Sequence, residues 1–236
     1  MAKSFKRFLK ARWPALFDAW RGMKQRSSAE RPAQQIFTKK YQRHITGEME
    51  SLSGPGSDLA QTAAIRLRLP QLVRELNVKV LLDVPCGDFH WMKSVKLDVD
   101  YIGADIVKEL VERNRRAYAN DRRRFVYADV TQDALPPADL ILCRDCLVHL
   151  SNRDVARAIE RIVASGATYL LTTTFVARET NDDIATGKWR PINPQRPPFD
   201  FPEPLELIDE AHPLEPYGDK HLGLWKVDDI RSVVAR

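Results

Sequence analysis

The chain has 236 residues, 44% hydrophobic and 29% charged, enough to bury one α/β core with extra elements and too few for two ordinary large domains. No apolar run approaches the roughly 20 residues of a membrane-spanning helix, charges interrupt the N-terminal apolar residues where a secretory signal would be continuous, and the cysteines Cys86, Cys143 and Cys146 make no disulfide framework, so a reduced, cytoplasmic protein is expected. The net charge of +5 is uneven, because residues 1–26 hold eight basic residues against the single acid Asp18; the slightly acidic remainder argues against a nucleic-acid partner.

The N-terminal arm, residues 1–30, is amphipathic. Phe5, Phe8, Leu9, Trp13, Leu16, Phe17 and Trp20 recur at three- and four-residue steps among Lys and Arg, and Pro14 should kink any helix there. Three roles fit: a terminal helix packed on the body or on the second subunit of a homodimer, a peripheral membrane contact through residues 1–26, or a mitochondrial presequence. Residues 31–77 read as N-terminal helices covering the main domain. A helix is expected over 33–44, then a tight loop at Ser53-Gly54-Pro55-Gly56-Ser57. Ser57 or Asp58 should cap the next helix, which carries Leu59, Ala63, Leu67 and Leu72, is divided at Pro70 and ends at Asn77.

From residue 78 the pattern alternates. Strands are expected over 78–83, 101–105, 125–129, 138–143 and 168–175, with helices near 91–95, 107–120 and 152–165. This predicts an α/β fold over 78–236, a doubly wound and mainly parallel sheet. Late strands over 205–208 and 222–227 should add an antiparallel pair, making seven. Residues 176–204 interrupt the alternation with a Pro-rich polar stretch that includes Gly187-Lys188-Trp189-Arg190-Pro191. It is expected to be a substrate lid, with Trp189 and Arg190 clamping an acceptor by stacking and charge.

Three expected strands end an apolar run on an aspartate: Asp83, Asp105 and Asp129, spaced 22 and 24 residues apart. Parallel strands deliver such carboxylates to one edge of the sheet, the edge at which α/β proteins bind ligands. Three acids there suit a ligand rich in hydroxyl and amino donors, such as a nucleoside. Taken singly, each could instead cap a helix or close an Asx turn.

The stretch Asp83-Val84-Pro85-Cys86-Gly87-Asp88-Phe89 follows the first strand as a turn that lets backbone N–H groups approach a ligand. Here the chain resembles the class I S-adenosylmethionine-dependent methyltransferases, whose motif is an acid followed by alternating glycines. Asp83, Pro85, Gly87 and Phe89 occupy those positions, and only the middle glycine is kept. The resemblance implies a Rossmann-like fold and S-adenosyl-L-methionine as cofactor. It also implies that Asp105, beside Ile106, takes the ribose hydroxyls, and that Asp129, beside Val130, takes the adenine amino group. Asp139 to Leu150, running through Cys143-Arg144-Asp145-Cys146-Leu147-Val148-His149, resembles the fourth motif of the small-molecule branch. These segments with Thr186-Gly187-Lys188-Trp189-Arg190-Pro191 are similar to a bacterial subgroup of that family.

His149 reads either as a buried structural histidine or as a general base for a hydroxyl acceptor. Asp145, four residues earlier, would orient it or act as the base itself. Arg144 or Arg66 would pair the methionine carboxylate of the cofactor. A zinc site at Cys86, Cys143, Cys146 and His149 is set aside, because these cysteines sit in apolar company where Cys behaves as a small hydrophobe. The leading expectation is a methyltransferase acting on a small-molecule or glycan acceptor at oxygen. The alternatives are an NAD-binding oxidoreductase, for which the turn has too few glycines, and a non-catalytic scaffold that uses its basic arm to bind a membrane or partner.

Overall fold

The computed structural model describes residues 32–212 and 216–234; the basic arm lies outside the described residues. Seven strands form one sheet: β1 (Val80–Asp83), β2 (Asp100–Asp105), β3 (Arg123–Tyr127), β4 (Leu140–Cys143), β5 (Tyr169–Phe175), β6 (Glu206–Asp209) and β7 (Lys220–Lys226). Their order is β3-β2-β1-β4-β5-β7-β6. The pairs from β3 through β5 are parallel, while β7 runs antiparallel to both β5 and β6. The helices are α1 (Pro32–Ile45), α2 (Ala63–Glu75), α3 (Lys108–Tyr118), α4 (Asn152–Ala164) and α5 (Val227–Val234). This is the expected doubly wound, mainly parallel seven-stranded sheet with N-terminal helices. Among the described residues no helix is long and apolar enough to cross a membrane.

β1 reads as an unbroken apolar run because both of its faces are covered. Val80 and Leu82 join one core with Val155, Ile159 and Ile162 of α4 and Ile230 of α5. Leu81 joins the other, with Ile65, Leu69 and Leu72 of α2 and Val111 of α3. α4 shows the sequence logic most directly: Ser151 accepts the Asp154 N–H as N-cap, and Val155, Ala158, Ile159 and Ile162 repeat at helical spacing on the buried face. β2 and β4 flank β1 on opposite sides, which opens a crevice above the carboxyl end of β1.

Several expectations change. The helix around Pro70 is undivided: the proline forfeits one intrahelical bond, but buried Ile65, Leu69, Leu72 and Val73 hold both halves to the core. That helix starts at Ala63, after a turn in which the Asp58 carbonyl receives the Thr62 N–H, so neither Ser57 nor Asp58 caps it. Leu59 lies before this helix, and Leu67 on its exposed side. β3 stops at Tyr127, two residues short of Asp129. α5 was not foreseen; it follows β7 without a break, with Asp228 and Asp229 in its first turn.

Candidate active site

A cavity of about 750 Å³ opens over the carboxyl ends of β1, β2 and β4, in the upper half of the roughly 300–1,000 Å³ range of small-molecule sites. Asp83, Asp105 and Asp129 all line it. Asp83 ends β1; its Oδ2 accepts the Tyr101 hydroxyl at 2.6 Å. Burial pushes the Asp83 carboxyl up to about 7 despite that hydrogen bond, with the charge of Asp105 adding to the rise. Asp105 ends β2 and takes the N–H of Val107 at 2.8 Å on Oδ1 and that of Gly87 at 3.1 Å on Oδ2. Burial raises it to about 6, opposed by those backbone bonds. Asp129 closes an Asx turn, accepting the Thr131 N–H and hydroxyl at 2.9 and 2.7 Å and the Gln132 amide at 3.0 Å. This turn holds Asp129 at the cavity wall, which Val130 and Ile106 also line.

The turn after β1 is fixed from two sides. Gly87 has φ 54°, and a Cβ there would stand 2.1 Å from the Ser53 Oγ; glycine is required by conformation and by space. Asp88 then anchors the incoming segment, accepting Ser51 Oγ at 2.9 Å, Ser53 Oγ at 3.1 Å and the Leu52 N–H at 2.8 Å. Residues 51–57 and α1 thereby roof the cavity, with Pro85 and Gly87 below.

Arg144 is buried and donates through Nε to Glu210 at 2.6 Å and through Nη1 to the Gly56 carbonyl at 2.7 Å. Its Nη2 is buried with no partner, and the residue lines the cavity beside Trp91. Lys220 joins the network, 2.8 Å from Asp145 Oδ2 and 3.2 Å from Glu210 Oε2. Burial pushes the Asp145 carboxyl up, but the Arg144 and Lys220 charges overcome it and hold the group at about 2.

His149 ends a short 3-10 turn and lines the cavity. Its Nδ1 is 2.7 Å from the Lys188 carbonyl oxygen. A carbonyl only accepts, so Nδ1 carries the proton and Nε2 presents a lone pair. Burial lowers the imidazole pKa, the Lys188 bond raises it, and the charge of Lys40 lowers it again. Asp145 therefore neither orients His149 nor fits the role of base, since it is committed to Arg144, Lys220 and Thr173.

Two predicted contacts lie off the cavity. Arg190 is buried, and its guanidinium is spent on the carbonyls of Asp182 and Leu147 and on Asn152 Oδ1. It fastens residues 176–204 to the turn before α4 and does not line the cavity. Arg66 spends Nη2 on the Leu59 carbonyl at 2.9 Å, closing the turn before α2. The expected lid is built into the body: Ile192, Phe199 and Phe201 belong to the core, and Asn181 and Asn193 lace its backbone together. Trp189 does line the cavity, edge-on to Phe175 and Tyr217. The sequence reading missed Lys220, Glu210, Tyr101 and Lys40 altogether; Asp88 carried a signal, as an acid one residue after the required glycine.

No curated protein sequence matches the chain. The fold is similar to that of human N-acetylserotonin methyltransferase in complex with SAM, at TM-score 0.57 and 16% identity, covering 92% of this chain and 68% of that one. It is also similar to the methyltransferase domain of bacterial CtHen1-CN (TM-score 0.51, 10% identity, 72% of this chain and 100% of that one). A third likeness is to the N-methyltransferase NodS from Bradyrhizobium japonicum WM9 (TM-score 0.50, 14% identity, 72% and 98%). Residues 82–171, the span that carries all three cavity aspartates, match the family model described as a methyltransferase domain, and with the sheet order and the cavity this makes the chain a bearer of a class I S-adenosylmethionine-dependent methyltransferase domain.

Proposed function

We propose that the chain methylates an oxygen of a small-molecule or glycan acceptor and that His149 is the general base. The observation that carries this reading is the Nδ1 bond of His149 to the Lys188 carbonyl, which leaves Nε2 as the basic nitrogen of a cavity-lining ring. S-adenosylmethionine supplies an already activated methyl group on a sulfonium. The chain's own residues then have to bind it, align the acceptor and remove a proton.

In this reading Asp105 accepts the ribose hydroxyls with the lone pairs that Gly87 and Val107 do not use. Asp129 takes the adenine amino group, with Ile106 and Val130 beside the ring. Arg144 Nη2, a buried donor without a partner, binds the methionine carboxylate; such an orphan otherwise costs about 1–3 kcal/mol. Asp83 takes the ammonium group. Residues 31–77 act as a cover for the domain over 78–236, and Trp189 contacts the acceptor. Three buried free cysteines support a reducing, cytoplasmic setting. The basic arm contacts an anionic membrane surface; loss of liposome binding on deleting residues 1–26 tests that point.

The function is tested by incubating the protein with S-adenosylmethionine and pooled small-molecule extracts and identifying by mass spectrometry and NMR any product gaining one methyl. An O-methyl product that His149→Gln no longer makes supports the proposal. A product methylated at nitrogen or carbon overturns the choice of oxygen.

A further inference from the structure

The cavity has two chemically different ends. Carboxylates line the strand rim. Around His149 the walls are instead Phe37 and Lys40 of α1, Phe175, Trp189 and Tyr217. Trp189 stands edge-on to Tyr217, with centroids 5.0 Å apart and planes at 79°, and to Phe175 at 6.0 Å and 85°. Lys40 is half-buried, with its ammonium 5.6 Å from the Phe37 ring centroid. Among the described residues no carboxylate pairs with Lys40 or with its neighbour Lys188; Asp145 is tied to Arg144 and Lys220, and Asp154 to Thr186 and Arg157. Burial and the Lys188 charge both lower the Lys40 pKa, as expected for a partly desolvated cation beside a second one.

Resting on the methyltransferase reading above, we infer that the acceptor is an aromatic compound bearing an anionic group, carboxylate or phosphate, which pairs with Lys40 while its ring packs against Trp189 and Tyr217. An anion restores the charge balance that α1 leaves open and forms a charge-assisted hydrogen bond. The edge-on aromatic wall offers a ring the T-shaped and offset contacts that such pairs prefer. A neutral glycan would bury the Lys40 charge further without compensation. The same cation beside His149 also favours an acceptor whose hydroxyl gains negative charge as it loses its proton.

The test is calorimetric, on the full chain. S-adenosylhomocysteine is titrated first, and 2-naphthoate, 2-naphthyl phosphate and the neutral 2-naphthamide are then titrated into the saturated protein. One or both anions should bind at least tenfold more tightly than the amide, and the stronger of the two identifies the anion. Lys40→Met should erase the preference and Lys40→Arg should keep it, with amide binding unchanged in both. Equal affinities for anions and amide, or no binding of any naphthyl probe, overturn the inference while leaving the methyltransferase reading intact. Failure of S-adenosylhomocysteine to bind overturns both. Should Lys40→Met not fold, the wild-type comparison of anion against amide decides alone.

Discussion

The Gly87 N–H donates to Asp105 Oδ2 at 3.1 Å, so the carboxylate proposed to hold the ribose also fastens the turn after β1 to the end of β2. Binding and loop shape thus share one side chain. Asp105→Ala should weaken S-adenosylhomocysteine by roughly 10- to 100-fold, as expected for losing hydrogen bonds to a charged acceptor. Unchanged affinity in a calorimetric titration would remove Asp105 from the site.

Gly87→Ala should destabilise the fold by about 1–2 kcal/mol, because φ 54° strains an L-residue and the new Cβ meets Ser53. In a Ser53→Gly background, which itself forfeits the Asp88 contacts, Gly87→Ala should cost only the backbone part. Urea denaturation of the two single variants and the double variant measures both. If the double variant matches Ser53→Gly alone, the backbone conformation contributes nothing.

Two opposite pH trends follow from the raised carboxyls. Unfolded, Asp83 and Asp105 titrate near about 3.9; folded, they titrate at about 7 and about 6. Each therefore favours the folded state fully below pH ~4 and loses that contribution as pH rises through its folded value, a total on the order of a few kcal/mol. The ligand-free protein should lose stability between about pH 4 and pH 7 and change little above that, and Asp83→Asn should flatten the decline. His149 acts the other way, since its lowered pKa withdraws stability only as pH falls below about 6.5. Cofactor affinity should rise over the same pH interval, because binding needs the ionised carboxylates, and S-adenosylhomocysteine should release roughly half a proton at pH 7. Binding heats measured in buffers of different ionisation enthalpy check that number. Heats that do not vary with the buffer would mean that Asp83 does not meet the ligand's ammonium group.

Lys220 and Arg144 balance Asp145 and Glu210 inside the protein. Lys220→Met leaves a surplus buried carboxylate and should cost about 3–5 kcal/mol at pH 7. Chemical denaturation of the variant reads this directly. A loss below about 1 kcal/mol would show that water already solvates the cluster.

His149→Gln should lower methyl transfer by about 10²–10⁴-fold while leaving S-adenosylhomocysteine affinity unchanged. In the wild type the acidic limb of the rate should fall below pH ~6.5, on the side to which burial moves the imidazole. A limb near pH 9, or a variant of normal rate, would assign the base elsewhere.

The sheet was legible because its strands carry their own signature. Val80-Leu81-Leu82 is apolar without alternation, as a strand covered on both faces must be, and Asp83 and Asp105 mark where two strands stop. Arg190 and Arg66 misled because a sequence shows a charge but not the carbonyls that will absorb it. Lys220 was invisible for the converse reason: the antiparallel pairing of Phe175 with Lys220 brings it to Asp145 across 75 positions of chain. The resemblance to methyltransferases supplied the ribose and adenine roles of Asp105 and Asp129, which no spacing could assign. α5 escaped because eight residues are too few for a helical period to stand out from the apolar strand before it.

The account rests on one cavity that binds a nucleoside through strand-end carboxylates. Calorimetric titration of the full chain with S-adenosylhomocysteine and, separately, with NAD measures this most directly. The account predicts one site for S-adenosylhomocysteine, weakened by Asp105→Ala, and no binding of NAD. Saturable binding of NAD, with none of S-adenosylhomocysteine, would contradict it.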